Sequence, residues 1–192
     1  MDKSLAKVRH ERSKKDFPGL KLEDDEYVEF ALKRVKICLM LIWGGVAFGL
    51  IFVLVAFLFI LMGQSMIDSM GLNFLFIILA ALLAAVLIIG VVASMIYHGN
   101  KLFITNKHVI QMTMSSPTSN SVNVIDLSSV EDASFRQNSL LEKIFNYGTL
   151  RLATVGDETT YTFKYSDING EELKEITKLI SVAKKEDKKK ED

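Results

Sequence analysis

Two prolines, one cysteine and three histidines are all that 192 residues supply of these types. Each scarcity excludes something. Cys38 has no partner for an intramolecular disulfide and no His or Cys placed to share a metal. It reads as a small core-type side chain, with palmitoylation near an interface as the alternative. His10 lies in the charged N-terminal tail, His98 and His108 flank the first expected strand, His108 has no fixed acid or nucleophile partner in sequence, and no G-x-S-x-G elbow, phosphate-cradling loop or metal-ligand spacing occurs. The chain therefore reads as no enzyme, with no catalytic, cofactor or metal residue to nominate. Lys/Arg and Asp/Glu balance at 23 each, and no basic stripe is interleaved with aromatics, so nucleic acid is not an expected partner.

Charge is also missing from two long stretches, Ile37–Met62 and Leu72–Tyr97. Each is about 26 residues, or about 39 Å as a helix, against a hydrocarbon core of about 30 Å. The first run begins after a charged segment, is too long for a signal h-region and lacks a small-x-small cleavage site, so both runs are expected to stay. The connector Gly63–Gly71 has no Lys or Arg, whereas Lys33, Arg34, Lys36, Lys101 and Lys107 flank the outer ends. The positive-inside rule then predicts a multi-pass plasma-membrane protein with both termini cytoplasmic and antiparallel helices. With no Asp, Glu, Lys, Arg or His inside either run, a one-copy channel or transporter is not expected. Trp43 and Tyr97 suit interfacial belts. Gly45 with Gly49, Ala80 with Ala84, Ala81 with Ala85 and Gly90 with Ser94 have small-x-x-x-small spacing. They fit packing within the hairpin, or self-association through the Gly45 face.

Residues 1–36 form a charged cytoplasmic segment. Its first part, with Lys3, Lys7, Arg9, Arg12, Lys14 and Lys15, reads as disordered or loosely helical, solvated or touching anionic headgroups. After the Pro18-Gly19 break, Glu23-Asp24-Asp25-Glu26 precedes an apolar pattern from Tyr27 to Val35. That pattern predicts a short helix feeding the first span, with the acids as helix N-terminal charges rather than a cation site.

From residue 98 the pattern alternates as antiparallel strands. Strands are expected at Lys101–Thr105, His108–Met114, Ser121–Asp126, Val130–Arg136, Gly148–Thr154 and Thr159–Tyr165. A tight turn falls at Thr105–Lys107, a longer one at Ser115–Ser121, and the last hairpin turns at Val155–Glu158. Ser139-Leu140-Leu141-Glu142 is a capping box opening a short helix to about Phe145. Asn169-Gly170-Glu171-Glu172 resembles a second, opening an amphipathic helix whose apolar positions are Leu173, Ile176, Leu179, Ile180 and Ala183. Residues 184–192 are expected to be disordered. The whole describes a two-helix transmembrane hairpin plus a pleckstrin-homology-like (PH-like) antiparallel β-barrel or roll over residues 98–183, capped by a C-terminal α-helix.

Three segments carry a family resemblance. Leu102–Ile110 is similar to the opening hairpin of the bacterial PH-like domains of YdbS-type membrane proteins. Asp126–Ala133 resembles their next signature, and Gln137–Leu150, with its Asn146-Tyr147-Gly148 motif, matches most closely. The order of Phe17-Pro18-Gly19-Leu20, an acidic stretch, two spans and then the domain is also similar. His108 stands where such proteins often carry Arg. The resemblance implies fold and membrane attachment; the family has no general assigned activity, so it supplies no function.

Only His98-Gly99-Asn100 separates the second run from the first strand. In a meander, the Ser115–Ser121 loop and the Ser139–Phe145 helix then lie near lipid, and the Thr105–Lys107 and Gly156–Glu158 turns point away. Leu140, Leu141, Ile144 and Phe145, with Lys143 and Arg136, are candidates to rest on the headgroup layer; the alternative is that the apolar four plug the barrel end. A phosphoinositide pocket at the first hairpin is not expected, because only Lys101, Lys107 and His108 lie there and residues 98–182 hold 8 Lys/Arg against 10 Asp/Glu. The expected function is a membrane-anchored binding or scaffold module whose sheet edge or helix groove takes a protein partner. The alternative is an accessory or lipid-sensing subunit of a membrane complex or homo-oligomer.

Overall fold

The computed structural model describes residues 3–63, 69–154 and 160–191. In chain order these are α1 (Lys3–Asp16), β1 (Val28–Lys33), α2 (Lys36–Gly63), α3 (Ser69–Gly99), β2 (Lys101–Thr105), β3 (His108–Ser116), β4 (Ser119–Asp126), a 3-10 turn (Leu127–Ser129), β5 (Val130–Arg136), α4 (Leu140–Ile144), β6 (Gly148–Thr154), β7 (Thr160–Ser166) and α5 (Gly170–Glu191). The strands form two antiparallel sheets, β1-β2-β3-β4 and β5-β6-β7. The Val155–Glu158 turn and the connector's residues 64–68 lie outside the described residues.

The two sheets and α5 enclose one apolar core that includes Leu102, Ile104, Val130, Leu150, Leu152, Phe163, Ile176 and Ile180. The α5 cap is the one its sequence specifies. Asn169 Oδ1 accepts from the Glu171 and Glu172 amides at 3.0 and 2.8 Å, and the Asn169 amide donates back to Glu172 at 3.1 Å. These bonds satisfy amides that have no partner inside the helix.

Three segments differ from the sequence reading. The stretch expected as a short helix before the first apolar run is strand β1, paired antiparallel with β2. Phe30 and Leu32 pack on the core while Ala31 and Lys33 point out. That two-residue alternation meets an open edge of β2, and the tertiary partner overrides a short run's local preference. The β-domain, drawn from residue 98 in the sequence, thus takes one strand from before the helix pair. The long turn expected at Ser115–Ser121 is tight, with Ser116 paired to Ser119 across Pro117-Thr118. The final charged tract, expected to be disordered, continues α5 to Glu191. Lys and Glu are strong helix formers, and extending a capped helix avoids the cost of a new nucleus.

Residues 3–26 are also fastened down. Arg9 pairs with Glu29 at 3.2 Å and lies 5.3 Å over the Tyr27 ring, and the Val28 amide donates to Ser13 Oγ at 3.0 Å. Phe17 meets Phe103 edge-on at 5.1 Å. This second apolar cluster, with Leu20 and Ile110, covers the outer face of the first sheet. Strand β2 is consequently buried on both faces.

α2 and α3 are long and apolar enough to cross a bilayer. They pack on each other where small residues permit. A Cβ added at Gly90 would lie 2.6 Å from Val46 Cγ2, and one at Gly49 would lie 3.3 Å from Val86 Cγ1. Gly45 has nothing within 4 Å of an added Cβ. Gly45, Ala81 and Ala85 are exposed, and Ser94 is half-buried beside His98, whose ring contacts its carbonyl oxygen.

Candidate interfacial site at the base of the helix pair

Strand β1 enters α2 and α3 returns into β2, so the helix pair grows from two adjacent strand ends. Lys33 and Lys101 are direct partners in that ladder. The junction is held by short polar contacts. Tyr97 Oη donates to the Arg34 carbonyl at 2.7 Å, and the Val35 amide donates to the Tyr165 carbonyl at 2.8 Å. Asn100 Nδ2 donates to the Ile96 and Met114 carbonyls at 2.6 and 3.1 Å. These bonds bring the ends of β1, β3 and β7 to the base of the helices.

An open groove of about 1150 Å³ lies in this angle. Its rim carries Lys33, Arg34, Lys36 and Lys101, with Asp167 and Glu172 as the acids. Its apolar floor follows Leu39, Met40 and Trp43, which continue from Lys36 along one face of α2. Among the described residues, none of these four cations has a carboxylate within 4.0 Å. Arg34 lies 5.6 Å over the Tyr165 ring, and its Nε is buried without a hydrogen-bond partner among the described residues. Burial lowers the Arg34 pKa from its usual value, with Tyr165 pulling the other way; a guanidinium starts so high that it remains charged.

The same end carries α4. Gly148 pairs with Ser166 beside Tyr165, and the Tyr147 and Tyr165 rings stand 6.0 Å apart. α4 therefore leaves β5 and enters β6 at the base of the helix pair. Ser139 and Glu142 form the expected reciprocal cap, and Gln137 Nε2 donates to the Glu142 and Tyr147 carbonyls at 3.2 and 3.1 Å. A Cβ at Gly148 would lie 2.5 Å from the Arg136 carbonyl, so the strands flanking this loop cross too closely for a larger residue. Leu140 is 73% exposed and Ile144 63%, with Leu141 and Phe145 also exposed. The barrel-plug alternative is thereby excluded, since α4 buries none of its residues. Arg136 and Lys143 are exposed next to them.

At the opposite end, the acidic run clasps the β2–β3 turn instead of starting a helix. Glu26 is 1% exposed. Its carboxylate accepts from Thr105 Oγ1 at 2.6 Å and from the Glu23 amide at 2.9 Å, and lies 2.9 Å from His108 Nδ1. His108 Nε2 lies 3.2 Å from Asp126. Lys107 Nζ reaches the Asp24 carbonyl at 2.9 Å and Glu23 at 3.4 Å. The hydroxyl in this network donates to a carboxylate or a backbone carbonyl and not to the imidazole. It is therefore a fastening between segments, not a nucleophile–base pair. Among the described residues no group of three His, Cys, Asp or Glu could hold a metal.

The family model "Bacterial PH domain" matches residues 30–184. The chain belongs to the bacterial PH-domain family. The match opens within β1 and closes within α5, so it encloses the helix pair. A crystal structure of a DUF1696-family protein with a pleckstrin-homology domain, from Shewanella loihica PV-4, shares 14% identity with a TM-score of 0.33. The alignment covers 44% of this chain and 70% of that one. No curated protein matches the chain.

In the sequence Lys33, Arg34 and Lys36 stood out as flanking charge that sets orientation, and Lys101 as that and as one of too few cations for a phosphoinositide pocket. Their convergence on one groove depends on the β1–β2 pairing, which sets Lys33 opposite Lys101 across the whole helix pair.

Proposed function

We propose that this bacterial PH-domain protein is a bilayer-anchored binding module. In this reading α2 and α3 span the membrane, and the β-domain and both termini lie on the cytoplasmic face. One observation carries it. Only 6% of the most apolar stretch of each helix is buried inside the protein. A core helix of a soluble protein would be covered, whereas here Phe48, Phe52, Phe59, Ile77 and Ile89 are open all along the pair. An exposed apolar surface of that extent suits a lipid environment and supports this reading. The base of the pair supports the same direction, because cations and the apolar α4 lie together there, as at a cytoplasmic headgroup layer.

The binding half of the reading rests on β4, an outer strand of the first sheet with Val122 and Val124 exposed. It carries no Lys or Pro to block an added strand, which suits a partner protein that docks by edge addition. Alkaline carbonate extraction, with protease applied to intact cells and to inverted vesicles, tests the anchor. Retention in the pellet, with cleavage of α5 only in inverted vesicles, is the expected result. Release into the supernatant, or cleavage of α5 in intact cells, would reject it.

A second copy of the chain is the other reading. The open side of Gly45, with Ala81 and Ala85 exposed, supports it. A dominant self-adduct on crosslinking in native membranes favours it over the scaffold; a reproducible foreign adduct favours the scaffold.

A further inference from the structure

Lys33 and Lys101 stand directly opposite each other in the β1–β2 ladder. Like charges in that relation destabilise a strand pair. Arg34 and Lys36 add two more cations to the same rim. Asp167 and Glu172 offset part of this charge, leaving four cations against two carboxylates. The groove is therefore an unneutralised basic recess, with a buried guanidinium nitrogen that has no partner among the described residues. From that rim the floor runs down α2 through Leu39, Met40 and Trp43. Its polarity thus changes from cationic to apolar along one line, in the direction a lipid's would.

We infer that this groove holds one anionic phospholipid, its phosphate against Arg34, Lys33, Lys36 and Lys101 and its acyl chain along Leu39, Met40 and Trp43. The groove volume of about 1150 Å³ admits a headgroup, glycerol and the start of a chain, and somewhat exceeds the range of about 300–1,000 Å³ usual for small-ligand pockets. Arg34 is the specific element. A planar guanidinium can present paired N–H donors to phosphate oxygens, and such charge-assisted bonds are stronger than neutral ones. The site is separate from the β2–β3 turn, whose Lys107 is already engaged by Glu23 and the Asp24 carbonyl. This inference rests on the bilayer-anchor reading, because the floor must lie at lipid depth.

The test uses the full chain, delipidated in micelles and titrated with phosphatidylglycerol, phosphatidylcholine or inorganic phosphate, with bound lipid counted by native mass spectrometry. The expected result is one retained phosphatidylglycerol, with phosphatidylcholine at least about tenfold weaker. The double variant Arg34→Gln/Lys101→Gln should lose about tenfold in retention, while Lys178→Gln on exposed α5 and the charge-preserving Lys101→Arg keep it. Equal retention by the double Gln variant, equal retention of phosphatidylcholine, or displacement of the lipid by millimolar inorganic phosphate would each overturn the site, the last assigning the recess to free phosphate. A photoreactive phosphatidylglycerol on the wild-type chain gives a readout that needs no variant to fold. Labelling within residues 37–43 is expected, and labelling confined to other segments contradicts the proposal. Carbonate extraction of the wild type is scored separately, so a failed anchor is distinguishable from an empty groove.

Discussion

Glu26 and Thr105 are 79 residues apart in sequence and 2.6 Å apart in the fold, the hydroxyl donating to a carboxylate that is almost wholly buried. This contact, with the Glu23 amide and His108, ties the segment before β1 to the β2–β3 turn. Burial pushes the Glu26 carboxyl up, but the combined hydrogen bonds hold it below its ordinary 4.5. A carboxylate depressed in the folded state stabilises above its unfolded value and loses that contribution as pH falls through the lower folded value. Protection of β1 amides against hydrogen exchange, corrected for intrinsic rates, should therefore be constant from pH 7 to about 5. It should fall steadily below about 4.5. Glu26→Gln should reduce stability at neutral pH by about 1–3 kcal/mol and flatten the acid dependence. A wild-type profile that stays flat down to pH 3 would show that Glu26 does not fasten this end.

β1 makes a second expectation concrete. A fragment starting at residue 98 keeps six strands but exposes the edge of β2 and loses Leu32 and Phe30 from the core. It also loses Leu20 and Phe17 from the outer face. Losing several large apolar side chains costs about 2–5 kcal/mol each, against a total stability of about 5–15 kcal/mol for a typical domain. Expressed alone, residues 98–191 should be molten or aggregated by amide NMR dispersion. Fusing residues 3–35 to residue 98 through a flexible linker, in place of the helix pair, should restore dispersed spectra. Equal dispersion with and without residues 3–35 would mean that β1 is dispensable.

The parts of this architecture that were legible share one property: their signals are local. The apolar runs announce themselves by length. Ser139 and Asn169 carry their caps within three residues, and Ile110 and Phe163 sit in short alternating patterns that decide strand over helix. β1 was misread because Tyr27–Val35 is short enough to satisfy both periods, and what decides between them is β2, beyond the whole helix pair. The acidic run was misread for the same reason, since its partners Thr105, Asn106, Lys107 and His108 lie about 80 residues away. The α4 residues could be named from sequence, but their direction could not. An apolar Leu-Leu-x-x-Ile-Phe turn fits a plug as well as a projection, and only the course of β5 and β6 separates the two. The basic groove needed both ends of one strand pair to be known.

The contact between Gly90 and Val46 tests the helix pair itself. A Cβ at Gly90 would lie 2.6 Å from Val46 Cγ2, closer than two carbons can approach without movement. Gly90→Ala should therefore separate α2 from α3 and destabilise the chain by about 1–3 kcal/mol. Val46→Ala removes the obstructing methyls. The double variant should then be more stable than the two single changes added together predict, as adjacent sites couple. Thermal unfolding in micelles measures all four proteins. Strict additivity would place these residues apart.

α4 gives the last prediction. Its apolar side chains are exposed at the end from which α2 and α3 emerge, beside Arg136 and Lys143. Were this end away from lipid, water would have to solvate Leu140, Leu141, Ile144 and Phe145 on one turn, at about 25 cal/mol per Å² of apolar surface. At a headgroup layer the same residues enter the acyl boundary while the two cations meet phosphate. Trp43 is the only tryptophan, so Trp43→Phe with Ile144→Trp places one fluorophore on this turn. In vesicles with lipids brominated near the headgroup, its emission should be quenched several-fold more than that of a Val124→Trp probe on β4. Lys143→Glu with Arg136→Glu should reduce that quenching in anionic vesicles and leave it unchanged in zwitterionic ones. Equal quenching at positions 144 and 124 would show that α4 does not rest on lipid.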